Sequence, residues 1–362
     1  MSLKLSKVGF GCWQLGSKGQ NDYWGLNFTD ELASELVNLS VKNGITYMDT
    51  AEDYASGDSE KQLRVALSGL SAEQRENVVV GSKILPNHCS DVREYAFKTL
   101  DRLGVDCIDL YMVHWPITKE GMSHFTGGHT KDGGRDYATT GEVSNVPPVR
   151  KAFLDLLQLQ KEGKIKHIGV SNFGIQQLKE ALETGVKIEV NQLCYNLIFR
   201  GIEMEILPFC IENSIQVVCY SPLMQGILTG KYQTLEDIPI YRRRTRHFDS
   251  KNNEKSRHGE RGFEPLLFKT LEQLRNLSAE IKLPLSDIAI AYPLHKNGVS
   301  TVIVGATKAE QVLSNANAGR LKLSKEVMKR LDCITEELKN AMGKNCDLWQ
   351  GVVEGKQTSR IR

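Results

Sequence analysis

The chain has 362 residues, of which 40% are hydrophobic and 25% are charged, a composition that supports a large core and excludes a disordered or collagen-like protein. Lys and Arg number 46 and Asp and Glu number 44, so the formal net charge of +2 creates no overall field that would attract nucleic acid or an anionic membrane. Residues 1–5 show no signal-peptide pattern, and no apolar run reaches the roughly 18 residues that span a bilayer. We therefore expect a soluble cytoplasmic protein without a nucleic-acid or membrane partner.

Short apolar runs alternate along the chain with longer stretches of helical periodicity, which indicates repeated strand and helix units. The apolar runs are rich in Val, Ile and Leu, as is typical of parallel strands that are covered on both faces. Strands are predicted at Ile45–Met48, Val78–Gly81, Ile108–Val113, His167–Val170, Ile188–Asn191, Gln216–Tyr220 and Thr301–Val304, with a weaker eighth near Arg320–Leu323.

Amphipathic stretches between these strands predict helices. They lie at Asp30–Lys42, Ser59–Ser68, Val92–Leu103, Pro148–Glu162, Ile175–Glu183, Ile202–Asn213, Phe263–Lys282 and Leu285–Lys296. Seven clear units and a faint eighth fit one closed barrel better than two domains. The predicted fold is a single α/β domain, residues 1–362, built as a (β/α)8 TIM barrel with an N-terminal β-hairpin in Leu3–Gly11 and long loops at its C-terminal face.

A doubly wound open sheet is the competing architecture, and it usually carries Gly-x-Gly-x-x-Gly after its first strand. Gly9–Gln14 comes nearest to this motif but has glutamine in place of the third glycine. Gly226–Tyr232 resembles a phosphate-binding loop, yet it has one residue too few between its glycines and no Ser or Thr after its lysine. Neither motif supports a Rossmann-type nucleotide site.

Three segments interrupt the alternation of strands and helices. Residues 117–147, rich in Gly, Thr and His, are too long for an ordinary connection and are interpreted as a substrate-side loop. Residues 237–261 carry the run Arg242-Arg243-Arg244-Thr245-Arg246, for which a solvated surface is the simplest interpretation. The C-terminal tail, residues 340–362, either folds back over the barrel mouth or frays.

The eight cysteines are scattered through apolar stretches without a Cys-x-x-Cys pair, so we expect reduced core residues. His124, His129 and Asp132 share the long loop after the third predicted strand, but their glycine-rich surroundings fix no ligand geometry. The sequence therefore predicts no metal site.

Polar residues follow successive strands where an α/β barrel places its chemistry, at the carboxyl ends. Asp49 and Tyr54 follow the first predicted strand, Lys83 the second and His114 the third. Each alone has an ordinary structural interpretation, as a helix cap, a surface aromatic, a strand end or a core histidine. Their occurrence at three successive strand ends favours a catalytic group.

This group suits proton donation by Tyr54. A free tyrosine has a pKa near 10, and lowering it by two units takes roughly 2.7 kcal/mol. An ammonium ~4 Å away supplies up to about 4 kcal/mol at an effective dielectric constant of 20. Lys83 is therefore predicted to lower the pKa of Tyr54, Asp49 to keep Lys83 charged, and His114 to hydrogen-bond the substrate oxygen or relay its proton.

The same residues stand in stretches that resemble the aldo-keto reductase family. The matching stretches are Met48–Tyr54 with Gly57, Ser59 and Glu60, Gly81–Lys83, Asp109–Pro116, Gly169–Phe173, Asn191–Gln192, Tyr220–Leu223 with Gly230–Tyr232, and Val302–Thr307 with Gln311 and Asn315. The resemblance extends from about Val8 to Ile334. It implies an α/β barrel that binds NADPH without a Rossmann fold and reduces a small aldehyde or ketone.

The resemblance also implies a role for each matching residue. Tyr54 is the proton donor, Lys83 and Asp49 tune it, and His114 orients the carbonyl. In relatives a Tyr-x-Arg pair in the loop after the sixth predicted strand folds over the cofactor, here Tyr241 and Arg243, and with Lys308 the arginine is predicted to neutralise a 2′-phosphate. The predicted cofactor-binding residues are Trp13, Ser171, Asn172, Gln192, Tyr220, Ser221, Pro222, Leu223, Gly226, Lys231, Tyr241, Arg243, Gly305, Thr307, Lys308, Gln311 and Asn315.

An aromatic substrate pocket is predicted from Trp24, Trp115 and Phe125, with Trp13 nearby, although each of these residues also fits a core position. Two alternatives to a reductase stay open. The β subunits of voltage-gated potassium channels share this loop pattern, which raises a regulatory binding role, but they differ at the histidine position that this chain keeps as His114. The other alternative is a sugar or alcohol dehydrogenase that uses NAD.

Overall fold

The computed structural model describes residues 2–16, 28–126 and 142–362. Eight strands form a closed barrel in sequence order, and every neighbouring pair is parallel, including the pair of first and last strands that closes it. The strands are β1 (Val8–Gly11), β2 (Tyr47–Asp49), β3 (Val79–Ile84), β4 (Ile108–Val113), β5 (Ile165–Ser171), β6 (Val190–Cys194), β7 (Gln216–Tyr220) and β8 (Val299–Val304). The predicted (β/α)8 barrel is confirmed.

Helices cover the outside of the barrel. They are α1 (Asp30–Lys42), α2 (Asp58–Ser68), α3 (Ala72–Glu76), α4 (Val92–Leu103), α5 (Lys119–Ser123), α6 (Val149–Lys161), α7 (Ile175–Leu182), α8 (Ile206–Glu212), α9 (Glu264–Ile281), α10 (Leu285–Leu294), α11 (Ala309–Ala318) and α12 (Lys325–Met342). A two-stranded hairpin, β9 (Val352–Val353) with β10 (Lys356–Gln357), follows the last helix.

Helix α1 shows how the sequence sets these elements. The Thr29 hydroxyl accepts a hydrogen bond from the amide of Leu32 and so caps the first turn. The buried residues then recur at intervals of three and four, which places one apolar stripe against the barrel. They are Ala33, Leu36, Val37, Ser40 and Val41.

Side chains of β2, β4, β6, β7 and β8, together with Leu3, fill the barrel interior. This inner cluster is separate from the larger layer between strands and helices and consists of Leu3, Tyr47, Leu110, Met112, Val190, Val218 and Ile303. The ring of Tyr47 occupies space that a Cβ at Gly9 or Gly81 would fill, at 2.6 Å from Cδ1 and 2.5 Å from the hydroxyl respectively. The two glycines therefore make room for one large interior side chain.

The eighth strand is not where the sequence places it. Val8–Gly11 pairs in parallel with β2 and β8 and is a barrel strand, not part of the predicted N-terminal hairpin. Arg320–Leu323 forms no strand and connects α11 to α12. The prediction was wrong because β1 contains two glycines in four residues, which hides the branched apolar pattern of a buried strand.

The segments that interrupt the repeat have local structure of their own. The described part of residues 117–147 contains α5, and residues 237–261 contain two short 3₁₀ helices at Ile240–Arg242 and Ser250–Asn252. In the tail, α12 continues to Met342 before the chain turns back towards the barrel. The tail therefore begins as a helix and folds back rather than fraying.

All eight cysteines are free, and they are buried except Cys107, which is half-buried, and Cys333, which is exposed. Among the described residues, no helix combines the length and the apolar character needed to cross a membrane.

Candidate active site

Three adjacent strands place the predicted catalytic residues at the carboxyl rim of the barrel. Asp49 ends β2, Lys83 is the fifth residue of β3, and His114 directly follows β4. Tyr54 begins a 3₁₀ turn after β2 in which Ala55 and Ser56 adopt left-handed backbone angles, with φ of 49° and 54°. Consecutive non-glycine residues in this region are strained, and such strain concentrates at functional sites.

Lys83 lies at the centre of the group and is fully buried. Its Nζ donates to Asp49 Oδ2 at 2.8 Å, to the carbonyl oxygen of Thr50 at 2.8 Å and to the Tyr54 hydroxyl at 3.1 Å. The ammonium uses its three donors on these three acceptors. The phenol is therefore connected through the lysine to a buried carboxylate, as the sequence predicts.

Asp49 is held in place from both sides. Its Oδ1 accepts hydrogen bonds from Gln192 Nε2 at 2.7 Å and from the Tyr47 hydroxyl at 3.0 Å, while Oδ2 faces Lys83. A buried carboxylate retains its charge only when such partners replace water. Residues of β2, β3 and β6 thus hold the Asp49 carboxylate next to Lys83.

His114 is buried beside the phenol, with ring centroids 5.6 Å apart in an edge-to-face arrangement. Its backbone is anchored on both sides, because its amide donates to Ile84 and its carbonyl accepts from Asn172. Burial, followed by the charge of Lys83, holds the pKa of His114 well below its usual range. The imidazole is therefore neutral at physiological pH and offers one N–H to a ligand.

The pKa of Tyr54 shifts in the direction opposite to the prediction. Burial, followed by the charges of Asp49 and Asp53, raises the pKa of Tyr54 well above 10, whereas the sequence predicts that Lys83 lowers it. Burial likewise lowers the pKa of Lys83, with Asp49 acting in the opposite direction. Desolvation therefore keeps the phenol protonated in this structure.

A cavity of roughly 800 Å³ opens above the tetrad, within the range of small-molecule sites. Asp49, Tyr54 and His114 reach its surface, and Lys83 lies beneath them. Most of the predicted cofactor-binding residues also line it: Trp13, Ser171, Asn172, Gln192, Tyr220, Ser221, Pro222, Leu223, Gly226, Lys231, Gly305, Thr307, Gln311 and Asn315. The structure thus brings these fourteen residues and the tetrad to one site.

A polar chain joins the ends of β5, β6 and β7 along one wall. The Tyr220 hydroxyl donates to Asn172 Oδ1 at 2.8 Å, Asn172 Nδ2 donates to Ser171 Oγ at 3.1 Å, and Ser171 Oγ donates to the carbonyl of Gln192 at 3.1 Å. Asn172 and Ser221 have left-handed backbones, with φ of 63° and 55°. These strained residues turn the chain sharply at the rim, where polar side chains face the cavity.

The far end of the cavity is formed by the start of α11. The amide of Thr307 donates to Gln311 Oε1 at 2.7 Å, and Asn315 Nδ2 donates to the carbonyl of Gly305 at 3.4 Å. The opening turn of this ten-residue helix therefore borders the cavity.

Three predicted cofactor residues do not line the cavity: Tyr241, Arg243 and Lys308. The Arg243 guanidinium turns back on its own loop and donates to the carbonyls of Ile238 and Glu236. Other cations of the same segment line the cavity instead, namely Arg242, Arg244, Lys255 and Arg257. The arginine run in the sequence indicates that cations lie near the site. The irregular backbone of residues 237–261 determines which of these side chains face the cavity.

Aromatic rings surround the end of the cavity near the tetrad. Trp115 and Phe125 line it as predicted, together with Trp13, which is 43% exposed. Trp24 lies outside the described residues. Sequence reasoning missed further lining residues, among them Asp53, His124 and Trp349. Asp53 could have been predicted from the sequence, because it directly precedes Tyr54 in the matching stretch Met48–Tyr54.

Among the residues that the structure describes, no three His, Cys, Asp or Glu side chains form a group that could hold a metal ion. His129 and Asp132, considered above with His124, lie outside the described residues.

A closed eight-stranded barrel with a buried Asp, Lys, Tyr and His group beneath a large cavity at its carboxyl rim defines a barrel oxidoreductase of the aldo-keto type. The profile of the Aldo/keto reductase family matches residues 7–336, and the chain belongs to this family.

Three relatives illustrate how far the similarity extends. An NADH-specific methylglyoxal reductase of Escherichia coli (strain K12) is 29% identical, over 89% of this chain and 92% of that protein. A glycerol dehydrogenase from Gluconobacter oxydans superposes with a TM-score of 0.71 at 23% identity, covering 93% of both chains. An aldo/keto reductase from Klebsiella pneumoniae, solved with NADP and acetate, superposes with a TM-score of 0.63 at 24% identity, covering 91% of this chain and 92% of that one.

Proposed function

We propose that this protein reduces an aldehyde or ketone to the alcohol with NADPH, and that Tyr54 donates the proton. The hydrogen bond of 3.1 Å from Lys83 to the Tyr54 hydroxyl, at the floor of the cavity, carries this proposal. The Asp49 carboxylate completes the relay at 2.8 Å from Lys83. The completeness of this group favours an enzyme over a regulatory binding subunit.

The residues of the cavity fit a nicotinamide dinucleotide. Ser171, Asn172 and Gln192 present amide and hydroxyl groups that would hold the carboxamide, and the Tyr220 ring beside them would stack on the nicotinamide. Lys231 would bind the diphosphate, and the opening turn of α11 would receive the adenosine. When bound there, the cofactor supplies a hydride to the carbonyl carbon.

The protein supplies the proton and orients the substrate. Tyr54 is held protonated by burial, and its O–H donates to the oxygen of the substrate as negative charge develops there. Lys83 donates to the same phenol oxygen, so it stabilises the charge that remains on Tyr54 after the transfer. His114, kept neutral, donates one N–H to the substrate oxygen and orients it.

Selection of NADPH over NADH rests on the cations at the far end of the cavity. The family includes an NADH-specific relative and a structural neighbour solved with NADP, so membership leaves the choice to local residues. The cations of residues 237–261 that line the cavity are Arg242, Arg244, Lys255 and Arg257. We assign the 2′-phosphate to Arg244 and Arg257, since Arg can bind phosphate in a bidentate manner.

A substrate panel tests the proposal. Aldehydes, ketones and aldoses would be assayed with NADPH and with NADH, and polyols with NADP+ and NAD+ in the reverse direction. We expect aldehyde reduction with NADPH to give the highest kcat/KM. Turnover confined to polyol oxidation with NAD+ would establish the dehydrogenase alternative, and cofactor binding without any turnover would establish the regulatory one.

A further inference from the structure

The segment after α12 contains a buried ion pair between Asp347 and Arg360. Arg360 Nε and Nη2 donate to the two carboxylate oxygens at 2.7 Å each, and the Arg360 amide donates to Oδ2 at 3.0 Å. The side chains are 0% and 1% exposed, respectively. This bidentate pair fixes the orientation of the guanidinium plane.

The guanidinium lies on the substrate wall. Its central carbon is 3.7 Å from the centroid of the Trp115 ring, which is a stacking distance. The Asp347 carboxylate also accepts a hydrogen bond from the amide of Trp349 at 3.2 Å. Both tryptophans line the cavity, so one carboxylate holds two aromatic walls of the same pocket.

The segment is attached to the barrel at the start of α7. Gln177 Nε2 donates to the Arg360 carbonyl at 3.1 Å, and the Gln176 amide donates to the Arg362 carbonyl at 2.8 Å. Gly174 lies directly under this contact, since a Cβ there would collide with the backbone of Arg362. Its φ of −86° suits any residue, so only the packed segment demands glycine.

Stability alone is a poor reason for this arrangement. A buried ion pair costs desolvation, and apolar residues of similar volume are often as stabilising. The pair carries a further cost, because Arg360 Nη1 is buried without a hydrogen-bond partner in the described part of the chain. Burial, followed by Cys194 and Asp347, raises the pKa of Tyr220, while Arg360 acts in the opposite direction, so the pair also lies within electrostatic reach of Tyr220.

We propose that Asp347 and Arg360 are positioning residues that set substrate selectivity by fixing the Trp115 and Trp349 walls of the pocket. This inference rests on the proposed reductase function. The reacting groups Tyr54, Lys83 and His114 do not contact the pair, so its effect falls on how a bulky substrate is held, with little effect on proton transfer.

The first test replaces the pair without leaving an unpaired buried charge, in the double variant D347N/R360M. The probes are propanal and 4-nitrobenzaldehyde, each with NADPH. For the aromatic aldehyde we expect kcat/KM to fall by about ten- to a hundredfold, mostly through KM, the range that misplacement by about 1 Å produces. For propanal and for the Kd of NADPH we expect changes within about twofold, because neither depends on the aromatic walls.

A second variant disturbs the segment without changing the pair. Gly174→Ala places a methyl group against Arg362, whereas Gly69→Ala, at the end of α2, meets only ordinary contacts of 3.6 Å and serves as the matched control. We expect G174A to lower the aromatic-to-propanal selectivity in the same direction as D347N/R360M, and G69A to leave it unchanged. If the double variant does not fold, G174A decides the question.

An optical measurement separates this inference from the proposed function. Trp115 is 6% exposed, so acrylamide should quench it poorly in the wild type and more strongly in G174A, and the increase should vanish when W115F is added. Wild-type protein that reduces neither aldehyde would refute the proposed function. The quenching comparison would still show whether the Asp347–Arg360 segment holds Trp115 in place. Unchanged selectivity and unchanged quenching in a folded G174A variant would overturn the positioning role.

Discussion

The two ends of the cavity are held by different parts of the chain. At the catalytic end, Asp49, Lys83 and His114 come from β2, β3 and the residue after β4, so barrel hydrogen bonds fix their backbones. At the proposed nucleotide end, Arg244 and Arg257 come from residues 237–261, which contain only two short 3₁₀ helices. Strand register fixes the position of a side chain closely. In an irregular segment the sequence indicates only the region in which a side chain lies.

The strongest test of this contrast is at the catalytic end. Tyr54→Phe removes one hydroxyl and leaves the ring, so carbonyl reduction should fall by about 10²- to 10⁴-fold, the usual contribution of a general acid. NADPH binding should stay within a few-fold of the wild type. Steady-state kinetics and a fluorescence titration of NADPH measure the two quantities.

Tyr95→Phe is the matched control, because the Tyr95 ring stacks on His88 and does not line the cavity. It should retain full activity. Substantial turnover by Y54F would assign the proton donor to another group.

The nucleotide end is tested by exchanging two pairs of cations that carry the same charge. Replacing Arg244 and Arg257 with alanine should weaken NADPH binding by at least about ten- to a hundredfold, since even one hydrogen bond to a charged group contributes about 1.5–3 kcal/mol. NADH binding should change by less than about threefold, because NADH lacks the 2′-phosphate.

Arg243→Ala with Lys308→Ala is the control pair, and it also tests the prediction from the sequence. We expect little loss of NADPH affinity from it, because Arg243 is bonded to the carbonyls of Ile238 and Glu236. If the R243A/K308A variant lost more NADPH affinity than R244A/R257A, the 2′-phosphate would instead be assigned to Arg243 and Lys308.

The smallest expected effect is in the pH profile of reduction. The proposed reaction requires a protonated Tyr54 and a neutral His114. Because the pKa of Tyr54 is raised by burial, Asp49 and Asp53, the phenol remains protonated as pH rises to about 9. Because the pKa of His114 is lowered by burial and Lys83, the imidazole remains neutral down to about pH 6.

We therefore expect kcat/KM for an aldehyde to stay nearly constant between about pH 6 and pH 9. The profile should be measured in buffers of constant ionic strength at subsaturating aldehyde. An alkaline loss centred near pH 8 would show instead that Lys83 makes the phenol acidic, as the sequence alone predicts.

Most of the fold follows from the sequence because buried parallel strands are continuous apolar runs. Seven strands overlap their predicted positions, and α1 and α4 have the predicted bounds. The eighth strand escaped because Gly9 makes room for Tyr47, a requirement that only the assembled barrel reveals. α11 and α12 were not predicted, and the weak strand signal at Arg320–Leu323 falls between them.

The grouping of the four proposed catalytic residues follows from the sequence for the same geometric reason, whereas the pocket walls do not. Trp349 lines the cavity from a segment in which Asp347 pairs with Arg360, thirteen residues further on, and which hydrogen-bonds to the start of α7. These contacts join parts of the chain that no local pattern connects. The direction of the pKa shift of Tyr54 also differs from the prediction, because desolvation depends on how completely the finished structure covers the phenol.

Closure of the barrel joins its two most distant strands. β1 pairs with β8, and the Thr301 hydroxyl donates to the carbonyl of Ser6 across 295 residues of sequence. Contacts between residues so far apart in the sequence form late in folding. The chain loses conformational entropy on closing the long loop before these contacts can stabilise it. During synthesis, Asp49, Lys83 and His114 emerge long before the strand that completes their rim, so a working enzyme assembles only after translation has passed Val304.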